Sequence, residues 1–181
     1  MLPKTKTELG LALGCVVYDM LMLLVALSVF RQRRQDARYE GLCWGKSQIS
    51  IEVILLKARL LMEFISPSAS SHNDIVITDF GLAPVPLPHA IRSARKSINQ
   101  WVAHLSWDRT RRSTKSSQPI QGEMEVQAVW ILSKTYQAIE SCLAGGVVFV
   151  EERHEAFYRV FQKLYVGMAV LPCRGQACGH S

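Results

Sequence analysis

The chain has 181 residues, of which 49% are hydrophobic and 20% charged, with 11 glycines and 7 prolines. This composition excludes a disordered tail protein, a collagen-like repeat and a low-complexity array, and it is sufficient for one substantial hydrophobic core. The net charge is +6, and residues 92–115 alone carry this excess, with seven basic residues against Asp108. We expect any anionic partner to contact this basic segment.

The first predicted element is an apolar run of 21 residues from Gly10 to Phe30, in which Asp19 is the only charged residue. The run is long enough to cross a bilayer, and its insertion is energetically feasible, so a small membrane-anchored protein (residues 10–30) is one alternative. A narrow stripe of small or charged residues between Glu8 and Arg33 instead favours a buried helix of a cytoplasmic protein. We adopt the buried helix. A secretory signal is not expected, because no small-residue cleavage site follows the run.

A polar connection over residues 31–46 is expected to lead to a second helix over residues 47–65, which a Ser-Pro dipeptide ends. Residues 66–88 then contain turn-forming side chains, and the proline-rich run 83–88 forbids a helix. The β-prone residues 75–78 are few and have no obvious partner strand. We therefore predict a long irregular connection that lies over a helical bundle.

The third helix is predicted to begin at Pro88, since proline is tolerated in a first helical turn. Apolar residues recur at three- and four-residue steps over residues 91–105, which indicates one buried face. A basic loop over residues 107–121 follows. A fourth helix is predicted over residues 123–143, where two glycines stop it, and a fifth over residues 148–166.

Five helices without a convincing sheet predict an all-α fold, a helical bundle whose long irregular connection separates helices two and three. We assign a single helical domain to residues 8–168, a flexible N-terminus to residues 1–7 and a C-terminal tail to residues 169–181.

The five cysteines are an odd number without a dense disulfide framework, which is typical of a reducing compartment and agrees with a cytoplasmic location. Cys173, Cys178 and His180 offer thiolate and imidazole groups of the kind that bind zinc. A closed zinc site needs four ligands, and no second pair stands at a matching spacing. We therefore predict no metal and no cofactor, and interpret these residues as part of a loose chain end.

The segment around His104 is the best candidate for chemistry. No phosphate loop, dinucleotide fingerprint, zinc-protease motif or nucleophile elbow is present. An imidazole that titrates near neutral pH can move a proton to or from a ribose hydroxyl, and Arg109, Arg111 and Arg112 could supply the positive charge that a phosphate needs. The alternatives are a histidine that interacts with the carbonyls of a helix end and a basic loop that is only solvated.

Asn99 precedes His104 by five residues at the end of a basic helix. The accompanying short stretches are Tyr18–Leu23, Lys57–Phe64, Asp74–Val76, Asp79-Phe80, Ala103–Leu105 and Arg109. Together they resemble the core of HEPN-type helical bundles, in particular a bacterial group of uncharacterised HEPN-like proteins, over roughly residues 8–145.

Active members of the HEPN class resemble metal-independent ribonucleases, which use an arginine and a histidine a few residues apart on one helix, usually in a homodimer. By this resemblance His104 matches the histidine and Asn99 its polar neighbour. Ile98 occupies the place of the arginine, and Arg95, the nearest upstream arginine, precedes His104 by nine residues. Nine residues rotate the side chain to the opposite side of a helix, about 13 Å away along the axis.

The expected function is therefore that of a HEPN-like bundle without catalysis, or with a degenerate site, which associates with RNA or a nucleotide and forms a homodimer. Arg95, Arg109, Arg111 and Arg112 are its predicted phosphate ligands. An endoribonuclease that uses His104 is the enzymatic alternative, and a membrane-anchored protein is the structural one.

Overall fold

A computed structural model describes residues 4–35, 42–67, 74–93, 95 and 120–170, and the fold is all-α. The long helices are α1 (Lys6–Gln35), α2 (Leu42–Ile65), α3 (Ile120–Ala144) and α4 (Glu152–Val170). A shorter helical segment begins at His89. No β-strand occurs within these ranges, which confirms the predicted fold class.

The first helix begins with a capping box. The hydroxyl of Thr5 accepts a hydrogen bond from the backbone N–H of Glu8 at 3.2 Å, and the Glu8 carboxylate accepts one from the Thr5 N–H at 2.7 Å. These two bonds satisfy donors that the start of a helix leaves without partners. The helix thus starts at Lys6, inside the stretch that was assigned to a flexible N-terminus.

The centre of the bundle is α1, which packs against α2, α3 and α4. Its buried side chains are Leu13, Val16, Val17, Met20, Leu23, Leu24, Ala26, Leu27 and Phe30. Residues Lys6–Gln32 are also long and apolar enough to cross a membrane, and just over half of the most apolar window is buried inside the bundle. The first helix therefore has the composition of a membrane span and the packing of a core helix.

Several helix ends differ from the predicted ones. The second helix begins at Leu42, five residues early, so the connection after α1 is shorter than expected. The last helix begins at Glu152 instead of residue 148 and extends to Val170, beyond the predicted start of the tail. Its late start has a tertiary cause, because the carbonyl of Val148 lies against Gly10 of α1, where a Cβ would be 2.3 Å from the oxygen. This contact lies at residue 148, four positions before α4 begins at Glu152.

In the described part of the connection after α2, residues 74–88 are irregular and pack on the bundle, as predicted. Within it, a single 3₁₀ turn spans Ile77–Phe80, and Gly81 closes this turn with φ 75°, a value that favours glycine. Phe80 meets the ring of Phe64 edge to face at 5.9 Å. The N–H of Val85 donates to the carbonyl of Ile65 at 2.8 Å, which pairs one of the free carbonyls at the end of α2.

Candidate functional site

Most of the predicted site residues, namely Asn99, His104, Arg109, Arg111 and Arg112, lie outside the described residues, and so do Cys173, Cys178 and His180. Arg95 is the predicted site residue whose side chain the structure describes. It belongs to the helical segment that begins at His89, where the N–H of Arg92 donates to the carbonyl of Pro88 at 2.9 Å. This bond closes the first turn and confirms that a helix begins after Pro88.

The guanidinium of Arg95 binds the C-terminal end of α2. Its Nε donates to Oε1 of Glu63 at 3.1 Å, its Nη2 lies against Oε2 of the same carboxylate, and its Nη1 donates to the carbonyl of Ser66 at 3.1 Å. Only 17% of the Arg95 side chain and 18% of the Glu63 side chain are exposed. The hydrogen bond from Nε joins two charged groups, which makes it stronger than a neutral one, and the cation also suits the negative end of the α2 dipole.

This arrangement gives Arg95 a structural task. Its positive charge is neutralised by Glu63; two of its nitrogens donate hydrogen bonds to protein oxygens, and the third, Nη2, lies against Oε2 of Glu63. The phosphate-binding role stays a prediction, and it would require the guanidinium to leave Glu63 for a ligand. By contrast, Arg92 is exposed and uses one nitrogen to donate to the carbonyl of Leu87 at 3.1 Å. The basic segment therefore starts from a turn that is fixed to the bundle.

A second polar pair lies between α1 and α2. Nζ of Lys57 donates to Oδ1 of Asp19 at 2.6 Å, and it lies 5.3 Å from the centre of the Tyr18 ring. Both charged side chains are about four-fifths buried. An aspartate that is removed from water needs a cation close to it. The position of Asp19 within an apolar run of the sequence therefore indicates a basic partner. The ion pair joins α1 to α2, and its two charges cancel each other.

The third unusual group is His154 on α4, which no motif in the sequence indicates. Its side chain is 7% exposed, and Nδ1 has no hydrogen-bond partner among the described residues. Nε2 is 3.9 Å from Oε2 of Glu151, which is too long for a hydrogen bond. The ring lies directly on Gly14 of α1. The ring is therefore part of the packing contact between α1 and α4.

No cluster of three or more histidine, cysteine, aspartate or glutamate side chains that could bind a metal occurs in the part of the chain that the structure describes. No protein-family model, curated protein or solved structure matches this chain.

Proposed function

We propose that this protein is a cytoplasmic HEPN-like helical bundle that binds RNA or a nucleotide through its basic segment and does not cleave it. The observation that supports the proposal most directly is the distribution of charge. Residues 92–115 carry the entire positive excess of the chain. With Arg95 neutralised by Glu63, the segment keeps a formal charge of +5, six basic residues against Asp108. A concentrated positive charge of this kind attracts the phosphates of a nucleic acid.

The pairing of Arg95 also supports the proposed absence of catalysis. A phosphoryl-transfer site needs a cation close to the proton-transfer group, because negative charge develops on the phosphate in the transition state. Ile98 occupies the place where the HEPN resemblance expects this cation. Arg95, the nearest upstream arginine, is held by Glu63 and the Ser66 carbonyl.

Binding is tested with a fluorescently labelled single-stranded RNA of mixed sequence at a series of salt concentrations. The expected log–log slope of affinity against salt is about −0.7 for each phosphate contact. Replacement of Arg109, Arg111 and Arg112 by alanine should flatten this slope. The matched control removes the same charge from the exposed side chains of Arg153, Arg159 and Lys163 on α4.

The proposal predicts that this control triple variant keeps nearly the affinity and the slope of the parent. Equal losses in the two triple variants would mean that only net charge matters, and no binding at low ionic strength would exclude the RNA proposal.

Cleavage is tested on the same RNA in the presence of a chelator, since the resembled activity needs no metal. The parent protein and a His104→Ala variant are expected to leave the RNA intact. Cleavage by the parent that disappears in the variant would replace our proposal with the alternative of an endoribonuclease that uses His104.

A further inference from the structure

The imidazole of His154 is a buried group that can change its charge, and it lies where α4 begins. The backbone N–H of His154 donates to the carbonyl of Glu151 at 2.9 Å, which places the ring in the first turn of the helix. Only 8% of the side chain is exposed, and Nδ1 is shielded from solvent and without a hydrogen-bond partner in the described part of the chain. Imidazoles change their charge between about pH 5 and 8, so a buried ring of this kind can couple a packing contact to pH.

The ring of His154 lies on a face of α1 that carries two glycines. A Cβ on Gly14 would be 2.0 Å from Nδ1, 2.3 Å from Cγ and 2.5 Å from Cε1, so Nδ1 is the ring atom closest to that position. One turn earlier, Gly10 lies against the carbonyl of Val148. The nitrogen that has no partner is therefore on the side of the ring that meets the backbone of α1.

This arrangement accommodates a neutral imidazole but offers no acceptor to its cation. A neutral ring carries one proton, which Nε2 can hold on the side of Glu151, 3.9 Å from the carboxylate. The cation carries a second proton on Nδ1, next to Gly14. Carbonyls inside a helix already accept hydrogen bonds from N–H groups four residues later in the chain. A buried donor without an acceptor is costly, and a buried charge without a partner costs more.

The charges on the element that carries His154 do not compensate for a second proton. The carboxylate of Glu151 is the acidic group close to the ring, and it already forms an ion pair with the guanidinium of Arg153. The first turn of a helix is also the positive end of its dipole, which disfavours a cation. An imidazolium at this position would therefore be poorly stabilised by its own helix.

The titratable groups on the neighbouring helix faces are engaged elsewhere. Residues three or four positions from Gly14 and His154 share their faces, and the titratable ones besides Glu151 are Tyr18 on α1 and Tyr158 on α4. The Tyr18 ring lies 5.3 Å from Nζ of Lys57, whose charge Asp19 neutralises. The hydroxyl of Tyr158 donates to the carboxylate of Glu140 on α3. These contacts leave the proton on Nδ1 without a carboxylate to receive it.

We propose that His154 is a pH-sensitive latch between α1 and the start of α4. With an uncharged ring, the contact with Gly14 is closed. As the pH falls through the range in which imidazoles titrate, the open form binds the second proton more readily than the closed form does. Protonation therefore opens the contact and frees the start of α4 from α1. The latch does not depend on the proposed RNA binding.

The experiment measures hydrogen exchange by mass spectrometry at about pH 7.5, 6.5 and 5.5, which span the titration of an imidazole. Each rate is divided by the intrinsic rate at the same pH. Protection of residues 10–20 and 154–164 should fall by about 10-fold between the two extremes, as expected for one linked proton. Protection of residues 50–65 on α2 should stay unchanged. Glu8 does not contribute in this range, because its pKa lies below 4.5.

The decisive variants remove the titrating group. His154→Phe keeps a flat ring and His154→Asn keeps a small polar side chain, and both should make the protection independent of pH. Circular dichroism shows which of them is folded. His89→Gln is the matched control, since it removes an exposed histidine and should retain the profile of the parent.

Three results would overturn the latch. The first is a parent whose protection at the α1–α4 contact does not change with pH. The second is a folded His154 variant that keeps the pH dependence of the parent. The third is an equal loss of protection in α2, because it would mean that the whole bundle unfolds instead of opening at one contact.

Discussion

Gly14 of α1 lies so close to His154 of α4 that a Cβ on the glycine would be 2.0 Å from Nδ1 of the imidazole. The two helices can approach in this way because glycine has no side chain. The same pattern recurs one turn earlier, where Gly10 meets the carbonyl of Val148. Together with the Tyr18–Phe157 ring contact, these pairs show that α1 and α4 run side by side in the same direction.

Gly14→Ala is expected to lower the free energy of unfolding by about 1–3 kcal/mol, the usual range for an extra methyl group in a packed interior. Gly167→Ala on α4 is the control, because a Cβ there meets nothing within 4 Å and alanine favours a helix by about 0.5–1 kcal/mol over glycine. Urea unfolding of both variants measures the difference. A Gly14→Ala protein as stable as the parent would show that the α1–α4 contact is looser than described.

Breaking the Arg95–Glu63 pair should destabilise the bundle. Arg95→Met or Glu63→Gln is expected to cost about 1–3 kcal/mol, less than for a fully buried pair because each side chain keeps some exposure to solvent. The double variant should cost less than the sum of the two. In a separate double-mutant cycle, the exposed pair Arg159–Glu155 serves as the control and should show a coupling free energy below about 0.5 kcal/mol.

Leu24 is fully buried in the centre of the bundle, and Leu24→Ala should lower the unfolding free energy by about 2–5 kcal/mol. The control Val126→Ala removes an apolar side chain that is mostly exposed and should have little effect. If α1 is a core helix, the protein should also remain in the supernatant after carbonate washing and ultracentrifugation. Recovery only in a detergent-extracted pellet would support the membrane anchor instead.

Hydrogen bonds from the backbone and side chain of Thr5 hold the pKa of Glu8 below its ordinary value of 4.5. The carboxylate therefore stabilises the folded state at pH values above 4.5, and this contribution is lost as the pH falls through the lower pKa of the folded protein. The protection of the amides at the start of α1 against hydrogen exchange, measured relative to the intrinsic exchange rate at each pH, should fall over that acidic range. Glu8→Gln should remove this pH dependence, and Thr5→Val, which loses the hydroxyl but keeps the backbone N–H donor, should only reduce it. An unchanged exchange profile in Glu8→Gln would contradict the capping role.

Burial raises the pKa of the Cys142 thiol to about 11, so only about one molecule in a thousand carries the reactive thiolate there at pH 8. Cys15 is exposed on α1. In a variant in which Cys43, Cys173 and Cys178 are replaced by serine, one thiol, that of Cys15, should react rapidly with a thiol reagent. The second should react only after denaturant is added. Two rapid thiols in the native protein would contradict the buried position of Cys142.

Local signals predicted the ends of helices better than they predicted contacts. Two helices end at a local signal, α2 at the Ser-Pro dipeptide after Ile65 and α3 at the glycine pair after Ala144. Both ends were predicted to within one residue. The predicted start of α4 was wrong because the observed start depends on the contact between Val148 and Gly10, which are far apart in the sequence. A short-range signal cannot report a packing contact that forms only when the bundle is complete.

In the candidate site, too, local sequence signals differ from the contacts that the fold makes. The four-residue spacing of Arg59 and Glu63 favours a pair on one helix, yet the structure brings Arg95 to Glu63 across 32 positions. The position of Asp19 in an apolar helix indicates that a cation lies close to it, because an isolated buried carboxylate is costly. Only the fold identifies that cation as Lys57. His154 gave no signal at all, because a histidine on an amphipathic helix is ordinary until its neighbours are known.

The contact between Gly14 and His154 also determines the order in which the protein can be completed. The two residues are 140 positions apart in the chain. At a synthesis rate of about 5–20 residues per second, α1 leaves the ribosome roughly 7–30 seconds before the helix that covers this side of it. During this interval the face of α1 that carries Gly10 and Gly14 has no partner from α4. The contact between Gly14 and His154 is therefore among the last tertiary contacts that can form as the chain is synthesised.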